Sequence, residues 1–287
     1  MSNSRNPHQP TDSPSQKRAD KTLFGSKEGD IVIAVMGPPC SGKSTLIKNM
    51  LPEDADPKPK PNPRFAPSKP SIQEYSMKMP DINADGRIEN RRLVLVDTPG
   101  FNNADVHDFD ILQMMAGWLK SAYHKDFEIS AIIYLFPLVA GVNPQKEERY
   151  LRVLRKVWGD DSTERVVLAT TQWEIAGGDQ DDREAELRGG FWKPMLELNA
   201  SMTRLYNDRE SAQGLLRNVL ENVASQEFVG FVLALQHELE AKRIKLHKTD
   251  AGKELRKELK HGFSLREAIF NILKRFFPPP SSDTASR

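Results

Sequence analysis

The chain has 287 residues and a formal net charge of +1, with 41 Lys and Arg against 40 Asp and Glu, which is room for one large α/β domain with extensions. So even a balance gives no reason to expect nucleic acid as the main partner. Cys40 is the only cysteine, which excludes an intrachain disulfide; no apolar run approaches the roughly 20 residues of a membrane-spanning helix, the N-terminus lacks a secretory apolar core, and a cytoplasmic setting is expected.

Residues 1–28, with Pro7, Pro10 and Pro14 among Ser, Asn, Gln and Lys, hold too little apolar surface to offset ordering entropy and are expected to form a disordered arm. Ile31 to Met36 is unbroken apolar sequence, the pattern of a strand buried on both faces. The next nine residues, Gly37-Pro38-Pro39-Cys40-Ser41-Gly42-Lys43-Ser44-Thr45, fit G-x-x-x-x-G-K-[ST] at every fixed position, and Leu46 to Met50 reads as a helix start. Strand, glycine loop and helix form the context in which this pattern binds phosphate. Gly37 and Gly42 let the backbone approach phosphate oxygens, and the helix adds its positive dipole end. Lys43 is then placed to reach the β and γ phosphates and Ser44 to ligate Mg²⁺, with Thr45 beside it.

Proline ends the helix at Leu51-Pro52, and Pro52 to Pro70 is a loop dense in proline and lysine. Long loops beside phosphate sites tend to be functional, and this one is expected to act as a first switch. No threonine lies between Thr45 and Thr98, so Ser68, Ser71 and Ser76 are the available hydroxyls. Ser71, at the end of the loop, is the candidate metal ligand. Ile72 to Met79 predicts a strand that leads through the turn signal Asn83-Ala84-Asp85-Gly86 into a second one, Arg92 to Val96. That run ends in Asp97-Thr98-Pro99-Gly100, where an acid at a buried strand end can hold Mg²⁺ through water and the Gly100 amide can approach the γ phosphate.

On these two motifs, and on the run Asp97 to Phe101 in particular, the sequence resembles P-loop GTPases of the translation-factor-related class, most of all their septin-like and immunity-associated (avirulence-induced) branch. The resemblance implies a Ras-like G domain that binds GTP and GDP with Mg²⁺. Ras-type relatives orient the attacking water with a glutamine after this glycine, and Phe101 stands there instead. An apolar side chain cannot align water, so slow intrinsic turnover is expected, with help from a partner.

His107 to Tyr123 has helical spacing of Ile111, Leu112, Met115, Trp118 and Leu119, and Ser130 to Phe136 reads as a buried strand. Asn143 to Trp158 predicts an amphipathic helix whose opposite charges at Lys146, Glu147, Glu148 and Arg149 suit a solvated face. A further strand, Arg165 to Thr170, runs into Thr171-Gln172-Trp173-Glu174. GTPases select guanine with an acid after this strand, because a carboxylate accepts from both N1–H and the exocyclic amine. Thr171, Gln172 and Glu174 fall on that pattern, and T-T-x-W with a following acid resembles a fungal group of septin-like G-domain proteins. Gln172 departs from the usual lysine, and Glu174 is one methylene longer than aspartate.

Asp181 to Ala200 predicts a helix interrupted at Gly189-Gly190, Met202 to Tyr206 a last strand, and Asn207 to Ala212 the start of a final helix. The resemblance places the end of the base pocket at that junction, on Tyr206 and Asn207. Beyond Asn222 the sequence reads as long and helical through residue 276, basic from Lys242 to Lys260, with a break at Thr249 to Gly252 and a disordered tail over 277–287.

The reading is therefore a three-layer α/β sandwich around a mostly parallel sheet, with a G domain over 29–222 and a helical extension over 223–276. Its expected activity is slow hydrolysis of GTP to GDP and phosphate with two switches, Pro52 to Ser71 and Gly100 to Asp110. A nonhydrolysing nucleotide-bound scaffold and an ATP-using P-loop protein are the alternatives. The resemblance adds a nucleotide-dependent homodimer, and the basic extension adds either a peripheral membrane or protein contact or a helical pair packed on the G domain.

Overall fold

The computed structural model describes residues 28–55, 70–78, 91–103, 106–139, 144–175, 178–225 and 231–259. The N-terminal arm, most of the Pro52 to Pro70 loop, the turn at Asn83 to Gly86, the end of the helical extension from residue 260 and the tail lie outside the described residues.

Six strands form one sheet: β1 (Ile31–Met36), β2 (Gln73–Lys78), β3 (Arg92–Asp97), β4 (Ile129–Pro137), β5 (Val166–Thr171) and β6 (Ser201–Arg204). Their order is β2-β3-β1-β4-β5-β6, parallel throughout except for the antiparallel edge strand β2. This is the expected α/β layer architecture. Every residue of β1 is buried, and alternate residues serve opposite faces: Ile31, Ile33 and Val35 on one, Val32, Ala34 and Met36 on the other. The period of two along a strand dictates that division.

On the first face lie α1 (Lys43–Met50) and α6 (Arg209–Ser225), with Leu46, Ile47, Leu216 and Leu220 in a shared core. Gln213 Nε2 and Arg209 Nη1 fasten the end of α1 by donating to Met50 O at 2.7 Å and Leu51 O at 2.9 Å. The opposite face carries α2 (Asp108–His124), α3 (Pro144–Trp158), α4 (Gln180–Gly189) and α5 (Lys193–Leu196), with Trp118, Trp158 and Trp192 fully buried. The glycine pair breaks the α4–α5 segment as its sequence predicts, while α1 starts three residues early because Lys43 to Thr45 form its first turn.

The extension departs from the expectation of long helices. It is a turn of helix at Ala234–Gln236, a wide turn over His237–Ala241, a 3₁₀ turn at Leu246–Lys248 and a helix over 250–259. Thr249 starts that last helix rather than breaking two apart: its hydroxyl accepts from Gly252 N at 3.1 Å, as a cap does. Leu233, Leu235, Ala251 and Leu255 are buried in the same core as α2 and α3, so the described part of the extension packs back on the domain. No helix of the described residues is long and apolar enough to cross a membrane.

Candidate functional site

The carboxyl ends of the parallel strands carry the loops that converge here, as open α/β sheets require. The loop after β1 turns on Gly37 (φ +141°), where a Cβ would lie 2.4 Å from Leu135 O, so only glycine fits. Gly42, at φ 98°, then starts α1. Pro38 and Pro39 have no N–H, so donors for an anion begin at Cys40. Lys43 is buried, and its Nζ donates to Gly37 O at 3.0 Å and Pro38 O at 2.7 Å. Burial pushes its ammonium below the usual lysine range, against the opposing fields of Asp97, Cys40 and Glu147. Ser41 Oγ is buried without a hydrogen-bond partner among the described residues.

β3 delivers Asp97 to the same place. Ser44 Oγ donates to Asp97 Oδ2 at 2.5 Å, and the following turn is pinned to β1 by Thr98 Oγ1 donating to Val35 O at 2.8 Å. Burial pushes the Asp97 carboxyl up, against the Ser44 hydrogen bond and the charge of Lys43. A hydroxyl and a carboxylate side by side at a partly desolvated strand end suit a small hard cation that keeps water and takes its other ligands from phosphates. Among the described residues no group of three or more metal-binding side chains exists that would hold an ion without such help. Ser71 does not join the pair: it is exposed, and its Oγ accepts from Gln73 Nε2 at 3.3 Å.

The loop after β5 is lashed to the phosphate loop. Thr171 Oγ1 donates to Ser41 O at 2.9 Å and Gln172 Nε2 to Cys40 O at 2.5 Å, so Gln172 braces the loop in place of a lysine. Glu174 reaches forward instead, and its Oε1 accepts from the backbone N–H of Asn207 at 2.8 Å. Tyr206 stands beside them, 44 % exposed, its ring 6.4 Å from that of Trp173.

Residues 32–171 match the family model described as a 50S ribosome-binding GTPase. This segment has the G-domain fold of the P-loop NTPases. GTPase Der of Hyphomonas neptunium is 28% identical over 185 residues, 63% of this chain and 31% of that protein, so the chain spans about a third of that relative's length. The fold matches Toc33 of Arabidopsis thaliana in complex with Mg²⁺ and GMPPNP with a TM-score of 0.50, 15% identity, and coverage of 69% of this chain and 86% of that one. A structure of the chloroplast translocon components atToc33 and psToc159, whose dimerisation is described as important for their GTPase activity, matches with a TM-score of 0.50 at 14% identity, covering 69% and 84%.

Within the G domain, Gly100 packs directly on the phosphate loop, where a Cβ would fall 2.5 Å from Gly37 O and 2.7 Å from Pro39 N. Phe101 does not face that loop's opening. It is 3 % exposed and stacks on Tyr150 of α3, centroids 5.5 Å apart and planes 8° from parallel. Tyr150 Oη donates to Asp108 Oδ2 at 2.9 Å, while Asn102 N donates to Asp108 Oδ1 at 2.6 Å, which holds the turn after Gly100 closed over the core.

Sequence reasoning missed Glu147. The charges of α3 suggest a solvated face, yet Glu147 is 5 % exposed and lines a cavity with Gly37, Pro38, Gly100, Phe101 and Tyr150. Its spacing of four and seven residues from buried Leu151 and Leu154 is the signal that places it on the inner face. Also missed was the group behind the loop after β5, Thr170, Trp173, Glu184 and Arg204.

Proposed function

We propose that the chain binds guanine nucleotide with Mg²⁺ and hydrolyses GTP slowly. The observation that carries this is the Ser44–Asp97 hydrogen bond, which joins the phosphate loop to the end of β3 beside Lys43. When bound, Mg²⁺ would be held by Ser44 and, through water, by Asp97, and would neutralise phosphate charge. Lys43 can swing from the carbonyls of Gly37 and Pro38 to the phosphates, and the amides from Cys40 to Ser44 complete the cradle. Gly100 offers its amide to the terminal phosphate. Glu174 exchanges the Asn207 amide for the two donors on the guanine edge, and Tyr206 with Asn207 closes that side. The D-T-P-G-F and T-T-Q-W-E runs support a place in the septin-like, immunity-associated branch.

Slow turnover follows from Phe101, whose burial against Tyr150 removes any side chain at its position from the attacking water. The same observation favours a second reading, a nucleotide-bound scaffold that does not hydrolyse. Single-turnover phosphate release from Mg·GTP separates the two. The first reading predicts release that Asp97→Ala abolishes; no release above that variant contradicts it. Two copies are proposed to pair across the nucleotide face, a reading supported by the dimerisation described for the structurally similar atToc33 and psToc159, and light scattering on the same samples should show a doubled mass with GTP analogue but not with GDP.

A further inference from the structure

The loop that presents Glu174 is held from behind by a layer of side chains, Thr170, Trp173, Glu184 and Arg204. Its backbone needs support, because Gln172 sits at φ 66°, a left-handed conformation that side-chain-bearing residues rarely adopt without help from their surroundings. Trp173 supplies it. Its indole Nε1 donates to Thr170 O and Thr170 Oγ1, both at 3.2 Å, and its carbonyl accepts from Gln180 Nε2 at 2.7 Å. Over its ring lies the guanidinium of Arg204, 4.3 Å from the centroid. Arg204 is itself fixed by a fork onto Glu184 Oε2, 2.9 Å from Nε and 2.6 Å from Nη2, and by Asp181 at 2.7 Å. Glu184 is 7 % exposed and accepts from Thr170 Oγ1 through its other oxygen at 3.0 Å. Three elements, β5, β6 and α4, are thus tied to one indole. A planar guanidinium can stack and fork at once, which an ammonium cannot do as well.

We propose that Arg204 is a positioning residue for base selection: by stacking on Trp173 and forking onto Glu184 it sets the loop so that Glu174 meets both donors on the guanine edge. The inference rests on the reading of Glu174 as the base-selecting acid. Glutamate has one more rotatable bond than aspartate, so the precision that a shorter acid has by itself must here come from the backbone beneath it. Loosening the brace should therefore cost discrimination more than phosphate binding.

The test is a binding titration of the full chain with GDP, inosine diphosphate, which lacks the exocyclic amine, and ADP. The unaltered protein is expected to prefer GDP over inosine diphosphate by roughly 100-fold, and Arg204→Met to lower that preference by roughly tenfold. Arg204→Lys should restore part of it, and Trp173→Phe, which removes the indole donor and narrows the ring under Arg204, should lower it as well. Thermal melts identify any variant that has lost its fold, and the remaining ones decide. A uniform loss of affinity for all three nucleotides, with the GDP preference unchanged, means a merely structural role and overturns the proposal alone. Equal binding of GDP and ADP by the unaltered protein overturns the reading of Glu174, and the brace with it.

Discussion

Lys43 and Glu147 feel each other's charge behind the phosphate loop, and their burial acts on them in opposite senses. Desolvation pushes the Glu147 carboxyl up to about 7, against the pull of Lys146 and Lys43 and aided by Asp108. An unfolded glutamate titrates near roughly 4.3. Between those values the folded chain keeps a proton that the unfolded chain has shed, so stability is greatest below the lower value and is lost as pH rises through about 7. Glu147→Gln, neutral at every pH, should therefore be more stable than the parent at pH 8 by ~3–4 kcal/mol and close to it near pH 4.5. Urea denaturation at the two pH values checks this, and an equal difference at both contradicts it. At the same residue scale, Gln172 ties the loop after β5 to the phosphate loop. Its amide nitrogen donates to Cys40 O.

At the scale of elements, α3 links two regions that are far apart in sequence. Its inner face presents Glu147 and Tyr150 to the turn after Gly100, while Arg152 on its outer face pairs with Glu258 at 2.9 Å in the C-terminal helix. That pair is only partly exposed and adds to the burial of Leu233, Leu235, Ala251 and Leu255, which holds the extension in place. Leu255→Ala should destabilise the domain by about 2–4 kcal/mol, measured by urea denaturation. A loss below about 0.5 kcal/mol would mean that this helix does not pack on α3 in solution. Strands β1, β3, β4 and β5 were legible in the sequence because continuous apolar runs have few other destinations than the middle of a covered sheet. The phosphate loop and the Asp97 turn were legible because glycine and proline fix local geometry. The C-terminal extension was not, since Phe228 to Ile244 has apolar spacings that suit a long helix, whereas docking on α2 and α3 breaks the described part into short turns. Glu147 was hidden by its charged neighbours, and Arg204 by distance, its meaning arising only where β6 brings it over Trp173.

Across the whole molecule, one sheet gathers at its carboxyl edge a lysine, a hydroxyl–carboxylate pair, a glycine turned onto the phosphate loop and a forward-reaching acid. The two faces bury separate cores, so the site is mounted on a sheet covered on both sides. The account depends on that edge being a guanine nucleotide site. Calorimetric titration of nucleotide-stripped protein with GDP, a GTP analogue and ADP, with and without Mg²⁺, tests it most directly. The prediction is binding of both guanine nucleotides at least about 100-fold tighter than ADP, an analogue affinity that rises with Mg²⁺, and loss of all binding in Lys43→Ala with the fold retained. No affinity for any purine nucleotide, or the same affinities in Lys43→Ala, would contradict it.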